Sequence, residues 1–208
     1  MRRNLYFVFT AASFALLVSA PGRFSCALIL AIEMLLLVTG GITVSYICNF
    51  SRWESLEKGI TLISIMFLTI LYKQLVMLLF PLMALQLGFV FYIPAVSSFL
   101  MGNIFGRRTA ELEEALIPAL KLTGIFILFS LLFFLFRDII GFGTVTLPSK
   151  TGIVEIILFD VSKTSFLQFF ASIPGALVLV VLAISLLILA QDKFNILEKA
   201  GILDESVD

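Results

Sequence analysis

Long apolar runs separated by short polar stretches dominate the chain. Six such runs can be traced, over residues 5–20, 24–48, 60–80, 81–105, 116–136 and 165–190. A helix needs about 20 predominantly apolar residues to cross a bilayer. The pattern therefore predicts one all-α integral membrane domain over residues 1–208 with six transmembrane helices. Because only Lys73 and Pro81 interrupt residues 60–105, a division into five spans remains open.

Composition excludes several classes of function. Of the 208 residues, 61% are hydrophobic and 13% are charged, whereas soluble domains carry about 45–50% and about 25%. The net charge is zero and no basic run exceeds two residues, so no surface is marked for nucleic acid. Histidine is absent, which excludes histidine-ligated haem and zinc and a histidine general base.

The placement of lysine and arginine predicts the orientation, since cytoplasmic loops are enriched in both. With the N-terminus inside, eight basic residues fall on the cytoplasmic side: Arg2, Arg3, Arg52, Lys58, Arg107, Arg108, Lys193 and Lys199. Four fall outside: Arg23, Arg137, Lys150 and Lys163. Both termini are therefore predicted to be cytoplasmic, with an acidic tail over 191–208. Proline after the small residues 18–20 argues against cleavage of the first span as a signal peptide.

Two ionisable residues, Glu33 and Lys73, lie well inside apolar runs. A charged side chain is costly inside the membrane unless it is paired with an opposite charge or reached by water. In the six-span arrangement their depths differ by only about 3 Å, so they are predicted to form an intramembrane ion pair. A cation or proton relay through Glu33 remains open, as does Lys73 extending its stem outward to the interface.

Proline and glycine break the first helix of each half of the chain. Residues 21–22 are Pro-Gly, and Pro94 and Gly102 interrupt the fourth run. Breaks at matching positions indicate two inverted three-helix repeats, over about 1–80 and 81–190, with a site at the membrane midplane. The alternative is that these residues are ordinary in membrane helices.

Three further stretches occur in order along the second half: Gly-Arg-Arg-Thr-Ala-Glu at 106–111, Arg-Asp-Ile-Ile-Gly-Phe-Gly-Thr at 137–144 and Pro-Gly-Ala at 174–176. With the Ile-Pro of the fourth run, they resemble the six-helix membrane subunits of the Rnf electron transport and Na⁺-translocating NADH:quinone reductase complexes. The chain is most similar to the E-type member of Rnf and the D-type member of the quinone reductase, and the resemblance extends over nearly its whole length.

The resemblance implies a non-catalytic subunit of a redox-driven ion translocase in the bacterial inner membrane. Such a subunit pairs with a homologous six-helix sister of opposite topology around the transmembrane electron path, and flavins belong to other subunits. In the family, two cysteines from each sister hold an iron or iron–sulfur centre. Here the matching positions are Ala20 and Leu100, so neither ligand is present. Cys26, six residues beyond the first position, would replace it only after a local shift.

Other roles remain open for several residues. Cys48 is expected to be a packing residue. Arg107 and Arg108 either contact a redox partner or anchor the topology. The Gly-Phe-Gly of 141–143 is expected to serve backbone geometry rather than ligand binding.

Two other functions are compatible with the chain. One is the substrate-capture component of an energy-coupling vitamin transporter, whose outer pocket would stack its ligand on Phe142, Phe166, Phe169 and Phe170. The other is a pure assembly protein.

Overall fold

The computed structural model describes residues 18–51, 53, 56–105, 112–149, 152–159, 168–186 and 189. In chain order its elements are α1 (Phe24–Phe50), α2 (Glu57–Leu79), α3 (Pro81–Leu87), a 3₁₀ turn (Gly88–Phe91), α4 (Tyr92–Val96), α5 (Ser98–Phe105), α6 (Leu112–Phe142), β1 (Thr144–Ser149), β2 (Gly152–Ile157) and α7 (Ile173–Leu186). Among these residues, four segments are long and apolar enough to cross a membrane: α1, α2, Pro81–Phe105 and α6. The chain is a multi-pass membrane protein.

Helix α1 lies at the centre of the described fold, where it packs against α2, α4, α5, α6 and β1. Tyr72 of α2 donates to the Ile29 carbonyl of α1 at 2.8 Å, and Ser45 of α1 donates to Glu57 of α2 at 2.6 Å. These two contacts make the helices antiparallel. The helices long enough to cross a membrane bury their apolar faces in two clusters along α1. One cluster includes Cys26 and Phe91, and the other includes Leu37.

The segment Pro81–Phe105 is a broken span built from α3, the 3₁₀ turn, α4 and α5. Ser97 has extended backbone (φ −67°, ψ 137°) between α4 and α5. Its Oγ accepts from the Leu100 amide at 3.2 Å and so caps α5. The predicted break is therefore confirmed near Pro94, although helix resumes at once. Gly102 does not break the helix, because it lies within α5.

A β-hairpin follows α6, between the apolar runs 116–136 and 165–190. Strands β1 and β2 are antiparallel, with Thr144 opposite Ile157 and Ser149 opposite Gly152. Gly143 has φ +68° at the end of α6, a conformation that favours glycine. Its carbonyl accepts from the Leu158 amide at 2.9 Å and so ties the far strand to the helix end.

The predicted division between the apolar runs 60–80 and 81–105 is confirmed. Helix α2 ends at Leu79, and Phe80 (φ −138°, ψ 69°) turns the chain before Pro81 starts α3. Proline suits this position, since the first turn of a helix needs no amide hydrogen bond. The predicted first span up to residue 17, the 106–111 stretch and the tail over 191–208 lie outside the described residues.

Candidate polar site at one end of the bundle

Helix α1 starts without a capping residue of its own. Arg23, the residue before it, is extended (φ −101°, ψ 130°) and makes no side-chain cap, and the first turn of α1 contains no acidic residue. The first amides of a helix have no partners within the helix and carry its positive end. The start of α1 therefore needs acceptors from elsewhere in the fold.

Asp138, near the end of α6, supplies the acceptor. Its side chain is fully buried, and Oδ2 accepts from the Phe24 amide at 3.1 Å. The same oxygen accepts from the Thr146 amide at 2.9 Å and the Thr146 hydroxyl at 2.7 Å, and Oδ1 accepts from Thr144 Oγ1 at 3.1 Å. Thr146 Oγ1 accepts in turn from the Ser25 amide at 3.2 Å. Residues more than 110 positions away thus cap α1.

Arg23 closes the outer side of this site. Its Nη1 donates to Thr144 Oγ1 at 3.2 Å, lies 3.0 Å from Glu155 Oε1 and lies 4.0 Å from Asp138 Oδ1. Its guanidinium carbon lies 4.0 Å from the centroid of the Phe142 ring. Arg23 therefore joins the α1 start to the hairpin and to the end of α6.

Arg137 connects the two Pro-Gly stretches of the chain. Its side chain is buried, Nη1 donates to the Ala20 carbonyl at 2.9 Å and Nη2 donates to the Ala171 carbonyl at 3.2 Å. Ala20 directly precedes Pro21-Gly22, and Ala171 lies three residues before Pro174-Gly175. A Cβ on Gly22 would lie 2.7 Å from Arg137 Nε. The glycine therefore leaves the space that the guanidinium occupies.

We call Arg23, Arg137, Asp138, Thr144 and Thr146 the Asp138 cluster. Two guanidinium groups, one buried carboxylate and the Glu155 carboxylate at its rim balance their charges. Both carboxylate oxygens of Asp138 accept hydrogen bonds from groups of the chain, so the cluster fixes the geometry at this end of the bundle. Gly141 and Gly143 serve the backbone here, as predicted: Gly143 has a positive φ, and a Cβ on Gly141 would lie 2.9 Å from the Ala171 backbone.

The structure does not form the predicted pair between Glu33 and Lys73. Glu33 is fully buried, and neither carboxyl oxygen has a hydrogen-bond partner in the described part of the chain. Lys73 instead turns to Tyr92, with Nζ 3.5 Å from the hydroxyl and 5.1 Å from the ring centroid. The side chains diverge because Lys73 is only partly buried while Glu33 points into the bundle.

The residues at the expected iron positions do not fit an iron centre. Ala20 and Leu100 are apolar and buried in different clusters, Ala20 with Cys26 and Leu100 with Leu37. Cys26 is fully buried and Cys48 is buried, and both are free thiols. Within the described ranges, no group of three or more His, Cys, Asp or Glu residues is placed to hold a metal ion.

The aromatic residues proposed for a ligand pocket are engaged with one another or with Arg23. Phe142 lies under the Arg23 guanidinium, and Phe169 and Phe170 pack edge to face at 5.7 Å. Phe166, like Arg107 and Arg108, lies outside the described residues.

Sequence reasoning missed Asp138 and Thr146 as functional residues of the fold. The available signal was negative: α1 starts after Pro-Gly-Arg with no serine, threonine, aspartate or asparagine at the cap. The sequence also places an aspartate beside an arginine, Asp138 after Arg137, at the end of another apolar span, and such an acid can accept from the uncapped amides.

Comparisons with known proteins give one relative without an assigned activity. An uncharacterized protein of Treponema pallidum (strain Nichols) is 29% identical over 171 residues, which cover 78% of this chain and 79% of that protein. No protein-family model and no solved structure matches the sequence.

Proposed function

We propose that this chain is a membrane subunit of an Rnf-type ion-translocating electron transport complex. In this proposal it has six transmembrane helices in two inverted repeats and pairs with a homologous six-helix sister subunit. Both termini lie in the cytoplasm of a bacterial inner membrane, so that the Asp138 cluster lies at the outer end. The chain organises the electron path and performs no catalytic step.

One observation carries the proposal. Arg137, within the 137–144 stretch of the resemblance, joins the Pro21-Gly22 break of the first half to the segment that leads into the 174–176 stretch. Arg137 donates both to the carbonyl before Pro21 and to the carbonyl of Ala171, and Ala176 is fully buried in the same apolar cluster as Ala20. Motifs that serve one three-dimensional unit are expected to meet in this way, whereas chance similarities have no reason to converge.

The described helices leave apolar surface on which a partner within the membrane can pack. Helix α2 buries one narrow stripe and presents large apolar residues elsewhere, such as Ile63 (72% exposed) and Leu78 (85% exposed). Lipid or a second apolar helix bundle satisfies such a face equally well. A sister subunit is the partner that the resemblance implies.

The proposal assigns no iron ligand to this chain, because the two expected ligand positions are occupied by Ala20 and Leu100. An iron centre in the complex would then depend on thiolates of the sister. Cys26→Ala tests this point directly: the iron content of the purified complex is expected to stay unchanged. A fall in iron would make Cys26 a ligand and overturn that part of the proposal.

The main experiment is mild-detergent purification through a tag on the C-terminal tail, with mass spectrometry of every stoichiometric partner. Recovery of a six-helix sister and flavin-carrying subunits is expected. Recovery with an ATP-binding-cassette pair, or of the chain alone with a bound small molecule, would refute the redox proposal and favour vitamin capture.

Matched charge-removing variants test whether the Asp138 cluster is needed for that assembly. Arg137→Gln removes the buried guanidinium, and Lys121→Gln removes an exposed charge from the same helix. The first variant is expected to lose the sister while the second retains it. Equal recovery of the sister with both variants would show that the cluster plays no part in assembly.

A further inference from the structure

Glu33 combines full burial with the lack of any partner. It lies nine residues into α1, so roughly 14 Å along a helix long enough to span the membrane. Neither of its oxygens has a hydrogen-bond partner among the described residues. An unpaired carboxylate in such surroundings is strongly disfavoured, and the group takes up a proton instead.

The neighbouring elements bring polar groups to the same depth, and Lys73 of α2, which also lies at this depth, turns to Tyr92 instead of Glu33. Because the Phe24 amide bonds Asp138 and α6 runs antiparallel to α1, Ser130 of α6 lies at about the level of Glu33. Ser130 Oγ is buried and also has no hydrogen-bond partner in the described structure. On α2, Tyr72 bonds the Ile29 carbonyl one turn away, and Thr69 Oγ1 bonds the Ile65 carbonyl of its own helix.

The helix break lies at this depth as well. The broken span runs in the same direction as α1, and a Cβ on Gly41 would meet the Ile104 side chain. Glu33 lies eight residues before Gly41, and eight residues before Ile104 is Val96, where α4 ends and the extended Ser97 follows. Non-helical backbone inside a membrane protein is found where it is buried in protein or lines a water-filled cavity. The break therefore brings non-helical backbone that is buried in protein to about the depth of Glu33.

The ionisable groups on the elements packed against α1 do not neutralise Glu33. None of them forms an ion pair with its carboxyl oxygens within 4.0 Å in the described structure, and Tyr72, which bonds the Ile29 carbonyl one turn earlier, interacts with it electrostatically. These groups are Glu57, Lys58, Tyr72 and Lys73 of α2, Tyr92 of α4, and Glu113, Glu114, Lys121, Arg137 and Asp138 of α6. The described parts of α5 and β1 contribute none.

We propose that Glu33 is a proton-binding site inside the membrane domain. Its carboxyl group carries a proton while it is packed inside the bundle and exchanges that proton with water. The step is the binding of one proton by one carboxylate, with no other bond formed or broken. The proposal requires only that α1 crosses a membrane, and it is independent of the redox-complex proposal.

Infrared spectroscopy of the full-length protein in lipid vesicles tests the proposal. The wild-type spectrum at neutral pH is expected to contain the carbonyl band of a protonated carboxylic acid. That band should shift in D₂O, disappear at alkaline pH and be absent from Glu33→Gln. Glu33→Asp should move the band rather than remove it. Glu113→Gln, a change at an exposed acid on α6, should leave it unchanged. The amide I band reports folding in the same samples.

Three outcomes would overturn the proposal. If the folded wild type and Glu33→Asp both lack the band, Glu33 is ionised. A band that neither shifts in D₂O nor titrates means that the proton is trapped and does not exchange. A band that vanishes on addition of Na⁺ at constant pH assigns the site to a metal cation instead.

Discussion

The capping of α1 by Asp138 gives the sharpest stability prediction. Oδ2 accepts from the Phe24 amide, the Thr146 amide and the Thr146 hydroxyl. In Asp138→Ala the two buried donors of Thr146 and the half-buried Phe24 amide lose their acceptor, and a buried donor costs about 1–3 kcal/mol when left unsatisfied. The sum is about 5 kcal/mol of unfolding free energy, which places the variant among the most damaging single changes.

Asp138→Asn removes the negative charge of the side chain but keeps its shape. One amide oxygen can keep the contacts to Phe24 and Thr146, but they become hydrogen bonds between neutral groups. Bonds to a charged group contribute about 1.5–3 kcal/mol and neutral ones about 0.5–1.5 kcal/mol. The expected loss is therefore about 3 kcal/mol, intermediate between the wild type and Asp138→Ala.

The assay is unfolding by SDS titration in mixed micelles, followed by far-ultraviolet circular dichroism. Glu155→Gln is the matched control, because Glu155 also contacts Arg23 but its side chain is 43% exposed. A surface ion pair contributes about 0–1 kcal/mol, so this control should remain close to the wild type. If Asp138→Ala falls within 1 kcal/mol of Glu155→Gln, about the scale of one surface pair, the capping argument is wrong.

Two further predictions concern close packing. Gly22→Ala places a Cβ 2.7 Å from Arg137 Nε and should destabilise the protein by about 1–3 kcal/mol. Gly124→Ala, whose added Cβ has no other atom within 4 Å, should stabilise α6 by about 0.5–1 kcal/mol. The same SDS titration measures both variants, and a Gly22→Ala protein more stable than Gly124→Ala would contradict the packing. Cys26 and Cys48 are buried free thiols, so maleimide should label them only after unfolding; rapid labelling of the folded protein in detergent, read by mass spectrometry, would refute their burial.

Several features of the fold could be predicted from the chain alone. The runs over 24–48, 60–80 and 116–136 correspond to α1, α2 and α6, and the break near Pro94 is present in the structure. These predictions succeed because a helix that crosses a membrane must satisfy its backbone internally and meet lipid along its length. Both requirements act residue by residue and are visible in local composition.

The hairpin and the Glu33 environment could not be predicted in this way. Residues 144–157 pair with each other, and their start is anchored to Asp138, so the strand structure depends on the end of α6. Equal depth suggested that Glu33 and Lys73 meet, but depth does not specify the direction in which each side chain leaves its helix. Lys73 faces Tyr92 and Glu33 faces the bundle interior.

The apolar runs alone thus establish a multi-pass helical membrane protein and the places where its helices turn, because burial in lipid depends on composition and length. The partners of Asp138 and Arg137, and the isolation of Glu33, depend on tertiary packing. Hydrogen bonds between groups more than 110 residues apart join the α1 start to the end of α6. No local pattern encodes such contacts, since they exist only when separate helices reach the same place at the same angle.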